Sequence, residues 1–213
     1  MTRTAWLTLS IGLSAAAPAA EVQGVVRPNV AGAPKADRSG IVVFVADVPL
    51  PPGKRPDAQM AQLGKQFTPQ VLAVPVGTRV AFPNRDPIEH NVFSRSPHGS
   101  FDLGRYGEGG AKSHLFDQPG VVDVYCNVHS TMVGHVVVVP GPWAVTGPDG
   151  RFVISGVPPG RHQLVVWDRF AQPTVLRRLI DVPGGALAID LSENASEPPH
   201  ENKFGGTYRT KSY

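Results

Sequence analysis

Three side chains with metal-binding chemistry lie within seven residues of the chain. Cys126 is the only cysteine among 213 residues, and His129 and Met132 follow it at intervals of three. A lone cysteine cannot form a disulfide within the chain, so its thiol is a buried apolar group, a link to another molecule or a ligand. A thiolate, an imidazole and a thioether so close together indicate a site for a soft metal ion.

A second histidine completes a candidate set of donors. His90 lies 36 positions before Cys126, after a turn rich in Asn, Asp and Pro, and Cys126 closes an apolar run. Adjacent antiparallel strands would bring His90, Cys126, His129 and Met132 to the same end of a sheet. One thiolate and two imidazoles with a weak axial thioether are the donors of a mononuclear copper site. Zinc is the rival metal, because cysteine and histidine also suit it, but zinc makes little use of a thioether.

The elements that must hold these residues are predicted to be β-strands. The 23 glycines and 22 prolines separate short apolar runs, and no amphipathic helix of useful length is present. Short strands with turn residues between them predict an antiparallel sandwich. One set of runs extends to Val139 and a second set follows Pro142, so we predict an all-β chain with two sandwiches. Residues 50–66, which contain two adjacent prolines, predict a polar connection.

The ligand segment resembles a known family. "CNVHSTMVGHVVVV", which begins at Cys126, resembles the ligand loop of amicyanin and plastocyanin-like cupredoxins, with the amicyanin spacing C-x2-H-x2-M. The plastocyanin spacing would place the methionine at position 134, which is Gly134 here. "VPVGTRVAFPNRD" and the following "HNV" resemble the strand and turn that carry the first histidine of that family. The resemblance covers residues 58–140.

This resemblance implies a Greek-key cupredoxin sandwich that binds one copper ion in a type 1, or blue copper, site. Asn91 would hydrogen-bond across to the ligand loop and steady it. The resemblance implies four copper ligands: His90, Cys126, His129 and Met132.

The remaining strands resemble a different family. "TGPDGRFVISGVPPGRHQLVVW" and "VQGVVRPNVAGAPKADRSGIVVFV" resemble parts of the small β-sandwich of the carboxypeptidase regulatory-like family. This resemblance implies a discontinuous domain formed by residues 21–50 and 141–191, with the copper domain, residues 51–140, inserted in it. The alternative is that residues 22–48 begin the cupredoxin.

Both ends of the chain have distinctive composition. Residues 1–20 contain Arg3, an apolar run of 13 and then small residues, which predicts a signal peptide and export to the periplasm. Residues 192–213 are polar and lack periodicity, which predicts a flexible tail. No second long apolar run is present, so we expect no membrane span in the mature chain.

Composition excludes some classes of partner. Hydrophobic residues make up 41% of the chain and charged residues 17%, as in ordinary globular domains. Without residues 1–20, which carry one basic and no acidic side chain, 19 basic side chains face 17 acidic ones, a net charge of +2. Such a small surplus gives no indication of nucleic-acid binding. We expect a monomer whose partners are redox proteins.

These observations favour an exported carrier of single electrons. The alternative is a periplasmic protein for copper delivery or tolerance, although only Met60 and Met132 remain in the mature chain to form a thioether site. The chain contains no H-x-H pair, G-x-S-x-G or H-E-x-x-H motif, so we predict that it is not an enzyme. We expect the other five histidines to bind no metal, and His135 to face solvent.

Overall fold

The computed structural model describes residues 19–194 and 201–206. All the regular secondary structure in this part of the chain consists of β-strands, which confirms the predicted all-β class. No helix in the same residues is long and apolar enough to cross a membrane. The predicted signal peptide falls outside the described residues apart from its last two positions.

The described residues form eighteen strands. The first nine are β1 (Ala20–Val30), β2 (Ala33–Pro34), β3 (Val42–Val45), β4 (Ala58–Gln59), β5 (Ala61–Leu63), β6 (Gln66–Thr68), β7 (Val71–Pro75), β8 (Thr78–Pro83) and β9 (His90–Ser96). The other nine are β10 (Gly99–Tyr106), β11 (Ala111–Phe116), β12 (Gly120–Tyr125), β13 (Val133–Val139), β14 (Trp143–Val145), β15 (Arg151–Val157), β16 (Gly160–Trp167), β17 (Val175–Val182) and β18 (Leu187–Glu193).

These strands pack as two sandwiches. The site sandwich, formed by β4 to β13, has a five-stranded sheet in the order β10-β9-β12-β13-β7 and a three-stranded sheet in the order β11-β8-β4, with β5 and β6 as a small hairpin. The flanking sandwich, formed by β1 to β3 and β14 to β18, has the sheets β15-β1-β18, with β2 beside β1, and β14-β3-β16-β17. Each sandwich encloses its own apolar core. The assignment of the flanking strands to the carboxypeptidase regulatory-like family stays a prediction.

The two sandwiches also pack on each other, through the five-stranded sheet of the site sandwich and the sheet β14-β3-β16-β17 of the flanking sandwich. Val137 and Val139 of β13 form an apolar cluster with Val42 of β3 and Trp167 of β16. The side chains of Val136 and Val138 point the other way, into the core of the site sandwich. A strand that is buried on both faces carries an unbroken apolar run instead of an alternating one. The run of four valines in β13 therefore reflects its place in the middle of a four-layer stack.

Strand pairing brings the predicted ligands to one end of the five-stranded sheet. β12 and β13 pair antiparallel from Gly120 opposite Val138 to Tyr125 opposite Val133, so residues 126–132 form the connection between them. β12 also pairs antiparallel with β9, with Tyr125 opposite Phe93. The end of β12 therefore lies beside the beginning of β9, where His90 is located.

Some segments differ from the sequence-based predictions. Residues 50–66, predicted to be a polar connection, contain β4, β5 and the beginning of β6, and Met60 between them is fully buried. The predicted tail also includes ordered contacts, because Ser192 and Glu193 belong to β18. The backbone N–H of Lys203 donates to Asn127 Oδ1 at 3.0 Å, beside the ligand loop.

Candidate metal centre

The loop from Cys126 to Met132 is closed by backbone hydrogen bonds. The N–H of Cys126 donates to the carbonyl of Met132 at 3.2 Å, and the N–H of Met132 donates to the carbonyl of His129 at 3.1 Å. The N–H of Val128 donates to Cys126 Sγ at 3.4 Å. The loop is thus a tight hairpin connection that presents its sulfur and its imidazole to the same point.

Three of the predicted ligands form a cluster. One donor atom from each of His90, Cys126 and His129 lies within 4.8 Å of the others. Cys126 Sγ is 3.8 Å from Nδ1 of His90 and 3.8 Å from Nδ1 of His129. The two imidazole rings meet edge to face, with centroids 4.9 Å apart and an angle of 60° between their planes. His90 and Cys126 are completely buried, whereas His129 is partly exposed.

These distances fit a shared metal ion. With metal–sulfur bonds of about 2.3 Å and metal–nitrogen bonds of about 2.0–2.1 Å, an angle of about 120° at the ion separates sulfur and nitrogen by about 3.8 Å. Three donors with that spacing can surround one ion in a trigonal plane, the arrangement of one sulfur and two imidazoles in copper electron-transfer sites. The chemistry and the spacing of the donors therefore both fit copper.

Asp86 orients the first histidine of the cluster. Its Oδ2 lies 2.7 Å from Nε2 of His90, and both side chains are buried. The carboxylate accepts a hydrogen bond, so Nε2 carries the ring proton and Nδ1 presents a lone pair towards Cys126. Histidine ligands commonly donate their other ring N–H to a carboxylate, which fixes the tautomer and raises the basicity of the donor nitrogen. Asp86 is not among the site residues predicted from the sequence.

The turn around Asp86 is held by further hydrogen bonds. Asn84 Oδ1 accepts from the backbone N–H of Asp86 at 2.9 Å, and Asn84 Nδ2 donates to the carbonyl of Ile88 at 2.8 Å. The backbone N–H groups of Gly64 and Lys65 donate to the Asp86 carboxylate at 2.7 and 2.8 Å.

These hydrogen bonds also set the charge of Asp86. Burial raises the pKa of Asp86, but the hydrogen bonds from Lys65, Gly64 and His90 outweigh burial and hold the pKa below its usual value. Asp86 is therefore a carboxylate at neutral pH.

His129 is held in its neutral form. Burial lowers the pKa of its imidazole, and electrostatic interactions with His90 and Lys65 lower it further, although Asp86 acts in the opposite direction. A neutral imidazole is the form that binds metal ions. His129 is the one member of the cluster with solvent exposure, and its neighbour Val128 is 42% exposed.

Met132 lies next to this cluster in the fold. Its side chain is completely buried in the core of the site sandwich, in the same apolar cluster as Cys126. Position 134 offers no room for a methionine, because a Cβ atom on Gly134 would lie 2.9 Å from Cβ of Phe67 and 3.0 Å from Sδ of Met60. Packing against the hairpin of β5 and β6 thus permits a thioether at position 132 and excludes one two residues later.

Two other predicted features differ from expectation. Nδ2 of Asn91 donates to Asp102 Oδ1 on β10 at 2.8 Å, and its Oδ1 has no hydrogen-bond partner within the described part of the chain. Asn91 is therefore not connected to the ligand loop by the predicted bond.

His135 does not face solvent as predicted. It is buried, its Nδ1 lies 2.8 Å from Asp123 Oδ1, and its ring centroid is 5.3 Å from that of Trp167. The flanking sandwich covers it, and the sequence around His135 does not indicate this contact.

Comparison with known proteins gave structural matches only. A scan against protein-family models and a search of curated proteins found no match. The chain is similar to a purple cupredoxin from Nitrosopumilus maritimus, with 32% sequence identity over 38% of this chain and 99% of that chain, and a TM-score of 0.36. It is also similar to an amicyanin variant in the Cu(I) form, with 25% identity over 38% of this chain and 81% of that chain, and a TM-score of 0.37.

A further match corrects one prediction. The chain is similar to a copper-containing nitrite reductase from Thermus scotoductus, with 28% identity over 42% of this chain and 23% of that chain, and a TM-score of 0.36. The prediction that this chain is not an enzyme is therefore wrong. It depended on the absence of motifs such as H-x-H, and a segment similar to this one occurs within a much longer enzyme chain.

Proposed function

We propose that the chain binds one copper ion between His90, Cys126 and His129, with Met132 as a weak fourth donor, and that it carries single electrons between redox partners. The bound ion would supply a one-electron Cu(I)/Cu(II) couple. The observation that carries this proposal is the pair of 3.8 Å distances from one buried sulfur to two imidazole nitrogens. The carboxylate of Asp86 supports it, because it fixes the tautomer in which His90 Nδ1 can act as a donor.

The surrounding strands hold the donors rigidly. His90 opens β9 and Cys126 directly follows β12, and these strands are neighbours in one sheet. The loop that carries His129 and Met132 is closed by the hydrogen bond from Cys126 N–H to the carbonyl of Met132. Electron transfer is fastest when the donors move little between the two oxidation states, and a packed β-sandwich restricts such movement. This frame suits an electron carrier better than a protein that must release its metal.

Electrons would enter and leave at His129. The His90 and Cys126 side chains are completely buried, whereas the His129 imidazole is only partly buried. The exposed Val128 beside it offers an apolar surface on which a redox partner could dock without a strong requirement for charge. A partner bound there would approach the site along the imidazole edge.

The test is the spectrum of copper-loaded, oxidised protein. A thiolate ligand should give intense visible absorption by charge transfer to copper, and Cys126→Ser should abolish it because a hydroxyl is a poor soft ligand. His114→Gln is a suitable control, because His114 lies in the same sandwich, stacked 4.1 Å from Phe101, and is not a member of the cluster. A colourless loaded protein, or the same colour in Cys126→Ser, would contradict the proposal.

We further propose that the protein acts after export to the periplasm. The support is the composition of residues 1–20, an apolar run between Arg3 and a series of small residues. Fractionation of expressing cells should place the protein in the periplasm, and mass spectrometry should find its N-terminus near Ala20. An untrimmed chain that remains in the cytoplasm would refute export and leave the copper proposal intact.

A further inference from the structure

A short segment near the C-terminus lies against the ligand-bearing end of the site sandwich. Residues 201–206, which we call the strap, follow β18 of the flanking sandwich in the chain. The backbone N–H of Lys203 donates to Asn127 Oδ1 at 3.0 Å, and its Nζ donates to Asp102 Oδ2 at 3.0 Å. Asn127 lies in the ligand loop, and Asp102 belongs to β10. The strap therefore contacts the site sandwich, although the strand that precedes it belongs to the flanking sandwich.

The strap is a turn closed by its own hydrogen bonds. The N–H of Asn202 donates to the carbonyl of Gly206 at 2.8 Å, and the N–H of Gly205 donates to the carbonyl of Asn202 at 3.0 Å. The Oδ1 atom of Asn202 accepts from the N–H groups of Phe204 and Gly206 at 2.9 and 3.3 Å. Gly205 has a φ of 80°, a conformation that favours glycine. A segment that already holds its own shape loses less conformational freedom on docking, so few contacts are needed to hold it.

The contacts of Lys203 lead to both segments that carry the clustered donors. Its backbone N–H is bonded to the residue that directly follows Cys126 in the chain. On the other side, Oδ1 of Asp102 accepts from Nδ2 of Asn91 at 2.8 Å. Asn91 is buried and directly follows His90. One residue of the strap is therefore connected, directly or through Asp102, to the neighbours of two donors.

The contact at Asp102 is an ion pair with partial exposure. Burial raises the pKa of Asp102, but hydrogen bonds from its neighbours outweigh burial and hold this pKa below its usual value, so the carboxylate is ionised at neutral pH. The side chains of Lys203 and Asp102 are 28% and 44% exposed, so solvent and salt screen the pair and its contribution to stability is modest. Phe204 is 80% exposed and adds little apolar contact. The strap is therefore held weakly enough to dock and undock.

We propose that the strap is a reversible clamp on the ligand loop and that Lys203 is the positioning residue that holds it. When docked, the strap fixes the Asn127 side chain and the pair of Asp102 and Asn91, and it restricts the movement of the segments that carry the donors. A further consequence rests on the proposed function. Copper and the strap would each restrain the same loop, so each would favour the binding of the other. A docked strap would therefore slow the release of copper.

The first test uses the metal-free, full-length protein. The amide protons of Cys126, Val128 and Met132 are hydrogen-bonded within the ligand loop, and NMR measures their exchange with solvent. Lys203→Glu places a negative charge against Asp102 and should speed this exchange about two- to fivefold. Lys203→Arg keeps the positive charge, so exchange in this variant should stay close to that of the parent protein.

Lys54→Glu is the matched control, because it makes the same change of charge at an exposed lysine. Lys54 lies near Gly77, which follows the end of β7 that is remote from the ligand loop, so exchange in the loop should not change. The amides of β16 report global opening of the fold and should exchange equally in all variants. Unchanged exchange in Lys203→Glu, an equal rise in Lys54→Glu, or a parallel rise in β16 would each overturn the clamp.

The second test measures the release of copper from the loaded protein to an excess of chelator. Release should be about two- to fivefold faster from Lys203→Glu than from the parent protein, and Lys54→Glu should match the parent. Faster exchange in the loop with unchanged copper release would overturn the coupling between the strap and the metal. A protein that binds no copper would contradict the proposed function, whereas the exchange measurements on metal-free protein would still decide whether the strap clamps the loop.

Discussion

Replacement of Asp86 by asparagine should raise the reduction potential of the copper-loaded protein. Asp86 Oδ2 lies 2.7 Å from Nε2 of His90, on the far side of the imidazole from Cys126. Adding the width of the ring and a metal–nitrogen bond of about 2 Å places the carboxylate roughly 6–7 Å from an ion bound at Nδ1. The negative charge stabilises Cu(II) more than Cu(I), so its removal favours the reduced form.

Coulomb's law gives the size of the effect. At roughly 6–7 Å, one unit of charge contributes about 2.5 kcal/mol with an effective dielectric constant of about 20, and about 0.6 kcal/mol in bulk water. For a one-electron couple, these energies correspond to about 110 and 30 mV. The side chain of Asp86 is only 8% exposed, so we expect a rise in the upper half of this range, about 70–110 mV.

The assay is voltammetry or redox titration of Asp86→Asn beside the parent protein. Asp123→Asn is the control, because Asp123 also accepts a hydrogen bond from a histidine but bonds His135, which is not in the cluster. At about 3.3 Å per residue, Asp123 lies roughly 10 Å along the strand from Cys126, and its greater exposure leaves its charge well screened. An unchanged or lower potential in Asp86→Asn with copper still bound, or an equal rise in Asp123→Asn, would refute the assignment of Asp86.

Three further predictions concern the fourth donor, the packing of the loop and a buried carboxyl. Met132→Leu should keep copper bound and raise the potential, because loss of a thioether destabilises Cu(II) more than Cu(I), whereas the control Met60→Leu, at another fully buried methionine, should leave the potential unchanged. Metal analysis decides, since loss of most copper from Met132→Leu would favour a delivery protein. Gly134→Ala should lower the free energy of unfolding by about 1–3 kcal/mol, measured by denaturant titration, because its Cβ would lie 2.9 Å from Cβ of Phe67; unchanged stability would mean that this packing is wrong. Burial and the neighbouring Glu193 raise the pKa of Asp168 from 3.8 to about 7, so the folded state keeps a proton that the unfolded chain loses, and stability should fall as the pH rises from about 4 to about 7. Asp168→Asn should remove this fall, at most about 4 kcal/mol, and parallel pH profiles of the two proteins in urea would contradict the assignment.

The candidate donors could be found from the sequence because their chemistry is local. Cys126, His129 and Met132 lie on one short loop, and a loop between two paired strands keeps such residues together whatever the rest of the fold does. His90 required one inference about strand pairing, and β9 and β12 are indeed neighbours. Asp86 lies four residues before His90, and that spacing was the signal that could have identified it. Its orientation depends on hydrogen bonds from Gly64 and Lys65, which are distant in sequence.

The strands with the weakest apolar pattern in the sequence are mainly at the edges of sheets. β10 ends the five-stranded sheet, β17 ends a four-stranded sheet, and β4 ends the three-stranded sheet. An edge strand buries few side chains and often carries charges, as Arg177 and Arg178 show in β17, so its apolar alternation is weak. The strands in the middle of the stack, such as β13, were evident because both of their faces are buried.

The sequence by itself determined the all-β class, the strongest strands and the chemistry of the donor loop, because each depends on residue type and short-range spacing. The tertiary structure alone decided which surfaces of those strands meet. The local pattern around His135 indicates an exposed position, yet the flanking sandwich buries it against Trp167. The carboxylate of Asp86 behind His90 and the steric limit at Gly134 arise from contacts between residues far apart in the chain. Such contacts depend on the packing of whole sheets, and no pattern within a single strand specifies them.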